Sequence, residues 1–132
     1  MAERGQTFTL PQVARISGVQ YRTLHLWLRR GLLRVSVKET HGAGVSNVLD
    51  VGDLFEACVL ADLRRAGLSM DALERAAAAL RDYELKGDEV LVMNGSVTIL
   101  ARGADITGAA LASTPAVVYD LQRARARVSG AD

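Results

Sequence analysis

Apolar and polar positions follow one another along this chain in blocks of different period. In residues 10–17, Leu10, Val13, Ala14 and Ile16 keep helical spacing. The residues before them form a helix start. Thr9 is placed to cap the backbone, Gln12 to bond back to it, and Pro11 lies in the first turn, where its missing N–H costs nothing. Phe8 and Val13 fall at the two positions of a hydrophobic staple. Gly18 breaks this block. A second helix is expected from about Gln20 to Arg30, with Leu24, Trp27 and Leu28 as its inner face and Gly31 as its stop. Two short helices joined by a glycine turn make a helix-turn-helix unit.

From Leu32 onward the period shortens. Leu33, Val35 and Val37 alternate with Arg34, Ser36 and Lys38, as in a strand. Gly42-Ala43-Gly44 supplies a tip, and Val45 to Leu49 return as a second strand. A hairpin in this place is a wing; an ordinary surface loop is the alternative. Asp50-Val51-Gly52-Asp53 opens a third helix reaching about Ala66, with Leu54, Cys58, Ala61 and Arg65 in one row. Leu60 and Leu63 widen its apolar face, and Gly67 stops it. Ser69 caps a fourth helix from Met70 to about Leu85, in which the run Ala76–Ala79 permits close approach of a neighbour.

Beyond Gly87 two β-type runs, near 89–93 and 96–101, flank Asn94-Gly95, a strong hairpin signal. A short helix around 105–112 follows and ends at Ser113-Thr114-Pro115. Val117, Val118 and Tyr119 then suggest a third strand. Asp120 caps a last helix, with Leu121, Ala124 and Val128 inward and Arg123, Arg125 and Arg127 outward. A single helix from Pro115 onward is the alternative. The predicted fold is mainly α with small β elements: a winged helix-turn-helix followed by two helices and a small α/β tail. Two domains are expected, residues 6–86 and 87–132.

Charge sharpens this picture. The 132 residues carry a net charge of only +1. Residues 1–49, however, hold seven cations against two anions, a surplus of +5. Residues 50–87 hold five against eight, −3, and residues 88–132 four against five, −1. A basic segment of this kind is either a solvated face or the footprint of a polyanion. With 49% hydrophobic residues, the chain can bury a core without cross-links. The lone Cys58 excludes an internal disulfide and a multi-cysteine metal site, and its helical row makes it a small core residue. His25, His41 and Cys58 fall on a helix, a loop tip and a core face, so no metal is expected. No phosphate-binding glycine loop, catalytic triad or perturbed carboxylate pair stands out, so neither an enzyme nor a cofactor is expected. The opening MAERGQTFTLPQ has no apolar run of signal-peptide length, and no stretch approaches a spanning helix, so the location expected is cytoplasmic.

Residues 8–80 resemble the winged helix-turn-helix domain of the MerR family of transcriptional regulators. The resemblance rests on Val13-Ala14 before Gly18-Val19, then Arg22-Thr23-Leu24, Trp27, Arg29 and Gly31-Leu32-Leu33. Asp53-Leu54 and Leu63-Arg64-Arg65-Ala66-Gly67-Leu68-Ser69 continue it. It implies that the second helix enters the major groove, that the wing flanks it, and that dimers bend and untwist promoter DNA. The candidate contacts are then Gln20, Tyr21, Arg22 and His25 at the groove, with Arg29, Arg30, Arg34 and Lys38 on phosphates. The chain departs from the family in three places. His25 and Leu26 stand where Arg and an aromatic residue are usual. Asn47-Val48-Leu49 stand in place of an Arg-x-Tyr element, and the hairpin-containing tail replaces a long dimerisation helix. That tail resembles small bacterial proteins, described as antitoxin-like, in which a MerR-type reader is joined to a compact α/β piece. The expected function is therefore sequence-specific binding of double-stranded DNA by a homodimeric bacterial regulator. The alternative is an antitoxin-like module whose tail engages a second protein.

Overall fold

The computed structural model describes residues 6–34, 37–41, 44–111 and 116–130. Its architecture is the expected one: mainly α, with two small sheets. The first elements are β1 (Thr7–Thr9), α1 (Leu10–Ser17), α2 (Tyr21–Arg29), β2 (Val37–His41), β3 (Gly44–Asp50) and α3 (Val51–Arg65). Then come α4 (Met70–Asp82), β4 (Glu89–Met93), β5 (Val97–Ala101), α5 (Ile106–Leu111), β6 (Val117–Asp120) and α6 (Gln122–Ser129). The chain groups into two compact units, residues 1–62 with 124–132, and residues 63–123.

In the first unit, Thr9 and Gln12 form the expected capping box. The Gln12 amide donates to Thr9 Oγ1 at 3.4 Å, and the Thr9 amide donates to Gln12 Oε1 at 2.8 Å. Gly18 closes α1 in the left-handed region, at φ 79°. At the end of α2, Gly31 adopts φ +76°, the Leu32 amide donates to Trp27 O at 2.9 Å, and the Gly31 amide donates to Leu28 O at 3.1 Å. This pair of bonds is a Schellman closure, and it turns Leu32 and Leu33 inward together, both buried. Two consecutive inward residues break a period of two. The strand expected from Leu33 therefore does not start there: it begins at Val37, and Val35 and Ser36 lie outside the described residues.

β2 and β3 pair antiparallel from Val37↔Val48 to His41↔Gly44. The expected tip at Gly42-Ala43 lies outside the described residues. Sequence reading missed β1, which pairs with β3 through Phe8↔Leu49 and makes it the centre of a three-stranded sheet. Three residues are too few to show a period. At the start of α3, the Asp53 amide donates to Asp50 Oδ1 at 2.8 Å, and the Asp50 amide donates to Asp53 Oδ2 at 3.2 Å. Phe8, Val13, Leu24, Trp27, Leu49, Leu54 and Cys58 are core residues of this unit.

α6 departs from expectation. Ala124 and Val128 are buried as predicted. Arg127, expected outward, turns in. Its guanidinium donates to Cys58 O at 2.9 Å and Ser17 O at 3.2 Å, and pairs with Asp62 at 2.7 Å. Arg125 lies over the Phe55 ring, 5.4 Å from its centre. The arginines of α6 alternate with small residues, so periodicity alone leaves the inward one undetermined.

In the second unit, Gly67 ends α3 by a second Schellman closure, with the Leu68 amide donating to Leu63 O at 3.2 Å. Ser69 caps α4 through the Ala72 amide at 3.2 Å. α4 stops at Asp82, short of Leu85, because Tyr83 is extended. β4 is the middle of an antiparallel sheet ordered β5-β4-β6, with every residue buried. The β4–β5 hairpin pairs Met93 with Val97, so its loop is three residues long and β5 begins one residue later than expected. Asn94 is held by donating to Ala109 O at 3.0 Å and accepting from Ser96 Oγ at 3.3 Å. Residues 117–120 form a strand, which rules out a single helix from Pro115. The helix end expected at Ser113-Thr114-Pro115 lies outside the described residues. Buried Glu89 receives the amides of Lys86 at 2.5 Å and Gly87 at 2.8 Å, and Gln122 Nε2 donates to Gly87 O.

Candidate nucleic-acid interface

The helical period of α2 sorts its residues cleanly. Leu24 and Trp27 are buried, Leu28 is half-buried, and Tyr21, Arg22, Leu26 and Arg29 are exposed. Arg22 and Arg29 project directly away from the Leu24–Trp27 side. Arg30, the C-cap residue, is exposed as well and continues the row. Among the described residues no carboxylate pairs with Arg22, Arg29 or Arg30. The first turn of α2 carries no acidic residue, and Arg29 in the last turn suits the negative end of the helix dipole.

The remaining predicted site residues take different places. Gln20 is the exposed N-cap of α2, and its side chain makes no capping bond. His25 is half-buried and meets Tyr21 edge-on, with ring centres 4.6 Å apart and planes at 72°. Tyr21 itself remains exposed in the first turn of α2. Arg34 donates to Glu56 Oε2 at 2.8 Å. Glu56 is buried, and its hydrogen bond, ahead of its charge, raises the pKa of Arg34 above the ordinary arginine value. Arg34 is thus anchored to α3, with half of its side chain exposed. Lys38 sits on β2 opposite Asn47; its side chain lies outside what is described.

Sequence reasoning missed Leu26, which stands in the row of cations. The signal was present: it follows Arg22 by four residues. Among the described residues, no three His, Cys, Asp or Glu side chains gather as a metal site, and no helix is long and apolar enough to cross a membrane.

Two short helices, a β-hairpin beside them and a cationic second helix define a winged helix-turn-helix. Residues 8–80 match the family model described as MerR HTH family regulatory protein. That match spans more than half of the chain, which belongs to the MerR helix-turn-helix family of regulatory proteins. No curated protein matches the chain.

Proposed function

We propose that the chain is a homodimeric transcriptional regulator that binds double-stranded DNA with sequence preference. The observation that carries this is the outward row of Arg22, Arg29 and Arg30 on α2, none of them paired with a carboxylate among the described residues. In this reading α2 lies in the major groove. Gln20, Tyr21, Arg22 and His25 face base edges or the adjoining backbone, and Arg29, Arg30, Arg34 and Lys38 meet phosphates. The hairpin of β2 and β3 acts as the wing. The reader spans residues 6–86 and the tail residues 87–132. The protein works in the cytoplasm, without a cofactor or a catalytic role.

The test is binding as a function of salt. If a dimer neutralises about six phosphates or more, the log–log slope is about −5 or steeper. A flat salt response, or no binding to any duplex at low salt, overturns the reading.

One observation favours a second reading, in which the tail engages another protein in an antitoxin-like manner. β6 is an edge strand with Val117 and Val118 exposed, and such edges invite pairing with another chain. Light scattering separates the two. A dimer at micromolar concentration supports self-association, and a stable monomer shifts weight to a foreign partner.

A further inference from the structure

Leu26 is 45% exposed, with the exposed Arg22, Arg29 and Arg30 around it on α2. It follows Arg22 by four residues and precedes Arg29 and Arg30 by three and four, so its side chain stands in their outward row. The inner face of α2 is completed by Leu24 and Trp27 on the opposite side, so packing does not require a leucine here. Its neighbour His25 is half-buried against Tyr21 and leaves the row to Leu26.

In the major groove, base edges offer donors and acceptors to polar side chains and one apolar group, the C5-methyl of thymine. A leucine forms no hydrogen bond with any edge, and its favourable complement there is that methyl. We propose that Leu26 is a specificity-determining residue that reads a thymine methyl. This rests on the groove-binding reading of α2. One helical turn, about 5.4 Å, separates Leu26 from Arg22. Base pairs rise about 3.4 Å each, so the thymine falls within about two base pairs of the position Arg22 reads.

The test uses the full chain and duplexes that it selects from a random pool. Each thymine of a selected duplex is replaced in turn by uracil, which removes the methyl and preserves base pairing. At one or two thymines the affinity is expected to fall about fourfold, the worth of one buried methyl-sized group. Leu26→Ser is expected to bind the thymine and uracil duplexes equally, and Leu26→Met to keep most of the preference. The proposal is overturned if no uracil replacement weakens binding by the unaltered chain. It is also overturned if Leu26→Ser retains the same preference for thymine. A chain that selects no duplex at all removes the groove reading itself, a different result from one that selects duplexes indifferent to uracil.

Discussion

At the scale of single residues, two arginines of the basic segment carry different tasks. Arg22 projects from α2 away from the core and is unpaired with any carboxylate among the described residues. Arg34 is bonded at 2.8 Å to Glu56, a carboxylate buried at the start of α3. On the proposed reading, removing Arg22 deletes a groove contact, and its exposed side chain has no carboxylate partner among the described residues that the fold would lose. Arg22→Ala is therefore expected to weaken DNA binding by about 1–3 kcal/mol and relax preference at one base position, with an unchanged melting temperature. Removing Arg34 takes one 2.8 Å charged hydrogen bond away from a buried carboxylate. Half of the Arg34 side chain is in water, which screens the pair. Arg34→Ala is expected to lower stability by about 1–2 kcal/mol, read as an earlier urea midpoint. Equal melting curves for the two variants would contradict this division. Both arginines were legible as cations in the sequence, but the sequence carries no sign of which one meets Glu56, 22 positions away.

At the scale of elements, helix ends were read well and strand limits less so. Thr9, Gly18, Gly31, Gly67 and Ser69 each mark an end through local chemistry, a side-chain acceptor or a left-handed glycine. The junction of β6 and α6 is also local. Asp120 Oδ1 accepts from the Gln122 amide at 3.0 Å and from Arg102 at 2.8 Å. The bond from Arg102, ahead of the one from the Gln122 amide, holds the Asp120 carboxyl below its ordinary value. Because the folded value is depressed, the Asp120 contribution is fully present above the ordinary aspartate pKa, about 3.9, and is lost as pH falls below it. Asparagine keeps the cap and removes the ion pair. Asp120→Asn is thus expected to melt slightly below the unaltered chain at neutral pH, and the gap should close in thermal melts below about pH 4. A gap that persists in acid would show that the charge is not its source. β1 and the three-residue loop of the β4–β5 hairpin were not foreseen, because both depend on which strand lies opposite.

At the scale of the whole molecule, the chain leaves its first compact unit within α3 and returns to it within α6. The return is held by Ala124, Val128 and Arg127, whose guanidinium meets Ser17 O, Cys58 O and Asp62. Loss of that guanidinium removes an ion pair to a mostly buried carboxylate and two hydrogen bonds to backbone carbonyls. Arg127→Ala is expected to cost about 2–3 kcal/mol, measured as a lower urea midpoint with an unchanged slope. An unaltered midpoint would show that α6 adds nothing to the helix-turn-helix unit. The sequence by itself determined the helix-turn-helix, the wing hairpin, the caps and the basic bias of residues 1–49, because these depend on neighbours within a few positions. It also held the outward row of α2, since the helical period alone places Arg22, Leu26 and Arg29 together. Only the tertiary structure decided that Arg127 turns inward, that Arg34 meets Glu56 and that β1 pairs with β3. Those partners lie tens of residues apart in the chain, and residue type and spacing specify which positions need a partner without specifying which distant group supplies it.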